Sequence, residues 1–323
     1  MPRPAGTRGG PRRARPGTSS RRSAPRTLAR IAFLGSPAVA AATLRALHGA
    51  GHNVVLVVTG PDRRRSRGAA PSPNPVKQAA HELALPVTET VADVVGSGSE
   101  LGVVVAFGRL VRAEVLDRLP MVNVHFSLLP RWRGAAPVER ALLAGDEHTG
   151  VSIMALEAGL DTGPVYATLT TTIDPEETAA ELTDRLGEMG TDLLLELLRG
   201  GVASLPEPVP QTGEATYASK LTPEDLRLDW SAGAGACRRL VRVGRAWTTF
   251  RGERLVVHRA RAAPAPGAGA PAPPAPGTLR GSVAVTADGG LELLEVQGAG
   301  RSAQPFAEWA RGARPLPDEV LGA

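Results

Sequence analysis

The chain has 323 residues, with 37 Lys and Arg against 32 Asp and Glu, and one cysteine. Hydrophobic residues make up 42% of it, enough to supply real cores, so global disorder is excluded and the length suggests two domains. The lone Cys237 excludes an intramolecular disulfide framework and any multi-cysteine zinc or iron–sulfur site, and it fits a reducing, cytoplasmic compartment.

The formal charge of +5 belongs to one end of the chain. Residues 1–27 hold eight arginines and no acid, and the remainder carries 29 bases against 32 acids. Rich in Arg, Pro, Gly and Ser, this segment has almost nothing apolar to bury and reads as a disordered extension. A nucleic-acid arm, a twin-arginine export signal around Ser20-Arg21-Arg22 and an organellar transit peptide are the functional alternatives. The export reading needs 28–47 as its apolar region. That segment is broken by Arg30, Gly35, Pro37 and Arg45, and it reads better as a first strand, a turn and a helix.

From residue 30 to about 200, apolar strand-like runs alternate with helical segments. The runs are Ile31–Leu34, Val54–Thr59, Gly102–Phe107 and Val122–Phe126, short and without alternation, as in strands covered on both faces. Between them, Ala38–Ala50, Val76–Leu85 and Arg112–Leu119 have helical composition. The alternation predicts an α/β domain with a Rossmann-like parallel sheet built by right-handed crossovers. A long amphipathic helix is predicted over Pro175–Leu198, with Leu182, Leu186, Met189, Leu193 and Leu197 at spacings of three and four, ending at Gly200-Gly201.

Pro206, Pro208 and Pro210 mark a linker, which sets the domains at 28–206 and 207–323. Beyond it, Arg254–His258, Gly281–Ala287 and Leu291–Gln297 read as short strands of a small barrel or sandwich, with a Pro/Ala/Gly run over 262–277. Charge divides here too: 15 bases and 21 acids over 28–207, against 14 and 11 over 208–323. Segment 238–261 has eight arginines and Glu253 as its one acid. Arg238, Arg239, Arg242 and Arg245 alternate with apolar residues, so one face would be buried and the other basic, suited to a polyanion or simply to solvent.

The stretch richest in chemistry starts as a buried strand at Met121. Its two-residue period places Asn123 and His125 on one side, near the carboxyl end where open α/β sheets keep their ligand crevices. A hydrogen-bonded structural pair explains these two residues equally well from this segment alone. A second loop, Glu157-Ala-Gly159-Leu-Asp161-Thr-Gly163-Pro164, holds an acid between two glycines. Asp161 is its natural candidate to orient His125.

Together Asn123-x-His125, Ser127-Leu-Leu-Pro130 and Gly159-Leu-Asp161-Thr-Gly163 resemble the signature of the folate-dependent formyltransferases. The fuller stretch Ser127-Leu-Leu-Pro-Arg-Trp-Arg-Gly-Ala-Ala-Pro137 resembles the branch of that family acting on methionyl-tRNA. So do Ser72–Lys77, Val103–Arg109, Tyr217–Lys220 and Asp229-Trp230, over about residues 30–322 in order. The resemblance implies 10-formyltetrahydrofolate as formyl donor, the methionine α-amine of initiator tRNA as acceptor, and no metal. It implies catalytic roles for Asn123, His125 and Asp161, folate contacts from Ser127, Leu128, Leu129 and Pro130, and an OB-like second domain. The six scattered histidines offer no metal spacing of their own.

Five departures accompany it: Phe126 where Gly is common, Asn74-Pro75 where Ser-Pro is usual, a shorter stretch around Val243–Arg245, the 262–277 insertion, and a 1–27 tail with no family counterpart. The family's tRNA-engaging loop corresponds to Gly60–Ala70, with Arg63, Arg64, Arg65 and Arg67; clustered guanidinium groups suit phosphates. The second domain's Arg238, Arg239, Arg242 and Arg245 would then follow the tRNA backbone. A monomer is expected. Two rivals stay open: a formyltransferase acting on an amino-sugar nucleotide or glycinamide ribotide, and a tRNA-binding module with a degenerate enzyme domain. A dehydrogenase fails, because no Gly-x-Gly-x-x-Gly follows the first strand.

Overall fold

A computed structural model describes residues 28–64, 70–264 and 274–323. The expected disordered extension 1–27, Arg65, Arg67 and most of the Pro-rich run lie outside these described residues.

Seven strands form the first sheet: β1 (Arg30–Gly35), β2 (Asn53–Val58), β3 (Val87–Thr88), β4 (Leu101–Val105), β5 (Met121–His125), β6 (His148–Ala155) and β7 (Val165–Thr172). Their order is β7-β6-β5-β4-β1-β2-β3. Strands β1 to β5 are parallel, as the alternating pattern requires, whereas β6 runs antiparallel to both β5 and β7. Successive β1 side chains enter different cores. Ile31 and Phe33 pack in one with helix α1 (Ala38–Gly49), while Ala32 and Leu34 pack on the opposite face with Val94 and Val115. Both faces are covered, which is why the strand reads as an unbroken apolar run.

Helix α2 (Pro75–Glu82) starts at Asn74, whose side chain accepts the Lys77 amide at 3.0 Å, with Pro75 at the first helical position. The expected helix over 112–119 shrinks to one turn, α3 (Ala113–Leu116). Helix α4 (Pro137–Ala144) precedes β6, and the long helix α5 (Ala179–Leu197) follows β7. The long helix begins later than Pro175 because Thr178 and Glu181 form a capping box, each side chain bonding the other's backbone. Gly187 and Gly190 let α5 lie close to its neighbours: a Cβ at Gly187 would stand 2.1 Å from Val39 Cγ2.

The second unit is an antiparallel sheet of the small β kind expected. Strands β8 (Ala246–Phe250), β9 (Glu253–Ala263), β10 (Leu279–Arg280), β11 (Val283–Val285) and β12 (Gly290–Gly298) lie in the order β8-β9-β12-β11-β10, with β13 (Gln304–Pro305) beside β12. Helices α6 (Ala234–Val243) and α7 (Phe306–Ala313) close a separate core containing Trp230, Leu240, Val257, Leu293 and Trp309. Cys237 is buried in it.

The segment after Pro208 does not hang between the units. Val209 exchanges both backbone hydrogen bonds with Val165, at 2.8 and 2.9 Å, and Tyr217–Ala218 forms a two-residue strand with Arg133–Gly134. It therefore crosses the first sheet beside the carboxyl end of β5. No helix among the described residues is long and apolar enough to cross a membrane.

Candidate active site

His125 ends β5 and is 5% exposed. Its Nε2 lies 2.9 Å from the Trp132 carbonyl oxygen. A carbonyl only accepts, so Nε2 carries the ring proton and donates. The other nitrogen, Nδ1, faces Asp161 Oδ2 at 3.7 Å. Burial lowers the His125 pKa below the ordinary histidine value, against the opposing pull of the Asp161 charge and the Trp132 hydrogen bond. The imidazole is therefore neutral at pH 7, with a free lone pair on Nδ1 beside a carboxylate.

Asp161 has a backbone φ of +50°, a left-handed conformation uncommon for a residue with a Cβ. Its Oδ2 accepts the Gly134 amide hydrogen at 2.7 Å, so the 131–135 and 159–163 loops are tied together at the carboxylate itself. Gly163 has no room for a side chain, since a Cβ there would stand 1.9 Å from the Ala155 carbonyl oxygen. A Cβ at Gly159, by contrast, would meet a side chain, standing 2.3 Å from Thr162 Oγ1.

Asn123, two residues before His125 on the same strand, is half-buried. Its side chain takes no hydrogen-bond partner among the described residues. Phe126 points the other way, into the core shared with Val124, Leu182 and Leu186, so the departure from Gly leaves the side of His125 unaltered.

Ser127 is fully buried, and its hydroxyl closes a turn by donating to the Arg131 carbonyl at 2.6 Å. Leu128, Leu129 and Pro130 are half-buried, and Leu129–Pro130 is a cis peptide. Behind them Ser152, paired with His125 across β6, donates to the Ser127 carbonyl at 2.8 Å and accepts the Leu129 amide at 3.2 Å. Ser152 was not legible as part of the site, because in sequence it is one polar residue in an apolar run.

A second residue without a sequence signal is Gln211, in the linker. Its Nε2 donates to the carbonyls of Asp161 and Gly163, both at 2.8 Å, and its Oε1 accepts from Arg133 Nε and Nη2 at 3.0 and 2.6 Å. Among the described residues no group of three or more His, Cys, Asp or Glu is placed to hold a metal ion.

The arginines separate into two groups. Arg63 and Arg64 are exposed and pair as a short strand with Pro71–Ser72, while Arg65 and Arg67 lie outside the described residues. On α6, Arg238 donates to the Pro175 carbonyl and pairs with Glu176, and Arg239 donates to the Leu143 carbonyl at 3.2 Å. Arg242 donates to the carbonyls of Glu177 and Asp174, at 2.8 and 2.7 Å. The expected basic face of α6 thus exists, but three of its arginines are engaged with the first unit. Helical periodicity predicts a face and not what it faces. Arg245, past the helix end, is exposed.

Comparison with known proteins places this geometry. Residues 29–198 match the formyl transferase family, and residues 220–314 match the formyl transferase C-terminal domain. The chain is 43% identical over 318 residues to a methionyl-tRNA formyltransferase of Acidothermus cellulolyticus, covering 89% of this chain and 98% of that one. It is 45% identical over 314 residues to that of Thermus thermophilus, covering 91% and 99%. Among solved structures, HypX from Aquifex aeolicus in complex with tetrahydrofolic acid superposes with a TM-score of 0.63 at 17% identity. That match covers 91% of this chain and 49% of HypX. Methionyl-tRNA formyltransferase from Clostridium thermocellum superposes with a TM-score of 0.53 at 17% identity, covering 72% of this chain and 93% of that one. With both domains matched in order and close relatives aligned over nearly their whole length, the chain belongs to the methionyl-tRNA formyltransferase family.

Proposed function

We propose that this chain transfers the formyl group of 10-formyltetrahydrofolate to the α-amine of methionine on initiator tRNA, acting as a monomer in the cytoplasm. The observation that carries the residue-level reading is the arrangement at the end of β5. There a buried imidazole faces a carboxylate, two residues from a carboxamide with no hydrogen-bond partner among the described residues.

The folate supplies an activated formyl group, and the half-buried apolar surface of Leu128, Leu129 and Pro130 suits the packing of a flat ring system. Ser127, its hydroxyl committed to the turn, supports that segment from behind. Asn123 donates a hydrogen bond to the formyl oxygen as negative charge builds on it. His125 takes the proton that the attacking amine loses, and takes it on Nδ1, because Nε2 is already protonated and bonded to Trp132. Asp161 then stabilises the imidazolium formed beside it, where burial would otherwise oppose the charge. Collapse of the tetrahedral intermediate breaks the bond between the formyl carbon and N10 of the folate, and that nitrogen takes the proton back from Nδ1.

The division of labour is an extension over 1–27, catalysis in 28–206 together with the linker that pairs with it through Val209 and Tyr217–Ala218, and tRNA binding in the rest of 207–323. Arg63, Arg64, Arg65 and Arg67 are assigned to the acceptor end of the tRNA and Arg245 to its backbone, as guanidinium groups suit phosphates. Arg238, Arg239 and Arg242 contribute to RNA binding by holding the second domain against the first.

The test is formyl transfer from 10-formyltetrahydrofolate to methionyl-tRNA, compared with an amino-sugar nucleotide and glycinamide ribotide. Transfer to the tRNA alone is expected. Failure there with success on the sugar or ribotide overturns the substrate. His125→Ala should lower kcat by about 100-fold or more, the usual scale for a general acid–base residue. Near-normal turnover by that variant removes the assigned role.

A further inference from the structure

Gln211 uses its full hydrogen-bonding capacity on the two loops that frame His125. Both amide hydrogens go to the carbonyls of Asp161 and Gly163, on either side of Thr162, and both lone pairs of Oε1 go to the Arg133 guanidinium. Each target adjoins a contact of the site. Arg133 lies between Trp132, whose carbonyl accepts from His125, and Gly134, whose amide bonds the Asp161 carboxylate. Asp161 itself sits at φ +50°, a conformation that persists only where its surroundings hold it.

Gln211 is in turn anchored. The chain just before it is bonded twice to β7 through Val209 and Val165, and Thr216, further on, accepts the Trp132 amide hydrogen at 2.9 Å. The linker thus works as a splint across the carboxyl end of β5, with Gln211 as its one side chain reaching the Asp161 backbone.

We propose that Gln211 is a positioning residue for formyl transfer, fixing the left-handed Asp161 opposite His125 by joining the Asp161 and Gly163 carbonyls to Arg133. This rests on the reading of Asp161 as the partner of His125. Gln211 touches neither substrate in this role, so its removal should slow turnover without weakening binding.

The experiment is a double-mutant cycle in the full chain, with steady-state kcat and KM for 10-formyltetrahydrofolate and methionyl-tRNA. The four proteins are wild type, Gln211→Met, Asp161→Asn and the double variant. Gln211→Met removes the donors and acceptor while keeping side-chain length. It should lower kcat by about 10- to 50-fold with both KM values within about twofold, the pattern of a lost transition-state interaction. In the Asp161→Asn background the same change should cost less than about threefold, because a residue acting through Asp161 has nothing left to act on. If the two losses instead multiply, Gln211 acts independently of Asp161 and the proposal falls. Normal turnover by Gln211→Met beside an impaired Asp161→Asn also overturns it while leaving the catalytic reading intact, whereas normal turnover by Asp161→Asn overturns that parent reading. Should Gln211→Met fail to melt cooperatively, Gln211→Glu keeps the pairing with Arg133 and loses both donors. It should show the same loss of kcat, and wild-type turnover by Gln211→Glu overturns the proposal.

Discussion

Asp161 faces His125 without hydrogen-bonding to it: Oδ2 stands 3.7 Å from Nδ1, while the same oxygen accepts the Gly134 amide hydrogen at 2.7 Å. The carboxylate is thus held in place by the backbone, and its negative charge is free to act on Nδ1. Asp161→Asn preserves size and can keep the Gly134 bond, so it removes charge more than shape. A fall in kcat of about 100-fold is expected, with folate affinity and the melting temperature little changed. A variant turning over at the wild-type rate shows that the charge does not matter to the step.

The same pair sets the pH dependence. Burial lowers the His125 pKa and Asp161 partly restores it. The base form of Nδ1 therefore persists below pH 6.5, the usual histidine value, and the acid limb of kcat/KM should lie below that pH. Removing the Asp161 charge takes away the raising influence, so residual activity of Asp161→Asn should have its acid limb lower still. Stability follows the sign of the shift. Between the lowered folded pKa and 6.5 the unfolded chain binds a proton that the folded chain refuses, so stability falls as pH falls through that window. His125→Gln should flatten this slope in urea titrations at successive pH values; an unchanged slope contradicts the assignment.

Much of this was legible in the residues. The four apolar runs are strands because they are covered on both faces, and His125 meets Asp161 because the 159–163 loop, tied to the Gly134 amide, reaches the residue that ends β5. Strand β7 left no comparable trace: Val165–Thr172 is a half-exposed edge rich in threonine, without an apolar stretch. Gln211 and Ser152 act through hydrogen bonds of single side chains, Gln211 to two carbonyls and Arg133 and Ser152 to a carbonyl and an amide, which no periodicity records. Charge was the least transferable signal. Arginines in sequence announce cations, but Arg238, Arg239 and Arg242 find their acceptors at Pro175, Leu143, Glu177 and Asp174, in another domain.

That arrangement separates two roles for arginine on the second domain. Arg242 makes two hydrogen bonds to first-domain carbonyls, and losing both leaves those carbonyls to water or to nothing. Arg242→Ala should destabilise the protein by about 1–3 kcal/mol in urea unfolding and separate the melting of the two domains. The slope of tRNA affinity against salt should change little. Exposed Arg245→Ala should do the opposite, leaving stability unchanged and reducing the salt slope by about one. Equal salt slopes for the two variants argue against this division.

Gly163 offers the most direct test of how tightly the Asp161 loop is set. A Cβ at this position would lie 1.9 Å from the Ala155 carbonyl oxygen, and that oxygen belongs to the last residue of β6. A strand backbone paired on both sides cannot retreat as a side chain can, so Gly163→Ala must move the loop. The displacement falls two residues from Asp161 and on a carbonyl that Gln211 holds, so the 3.7 Å approach to His125 should be lost. Gly163→Ala should lower kcat by at least about tenfold while the protein still folds, since about 1 Å of misplacement near reacting groups costs on the order of 100-fold. Gly96→Ala is the comparison for a glycine with open space around it but a φ of +90°, so its cost is local backbone strain alone and should appear in stability and not in kcat. Wild-type kcat in Gly163→Ala means that the loop tolerates the shift, and that Asp161 does not need the position it holds here.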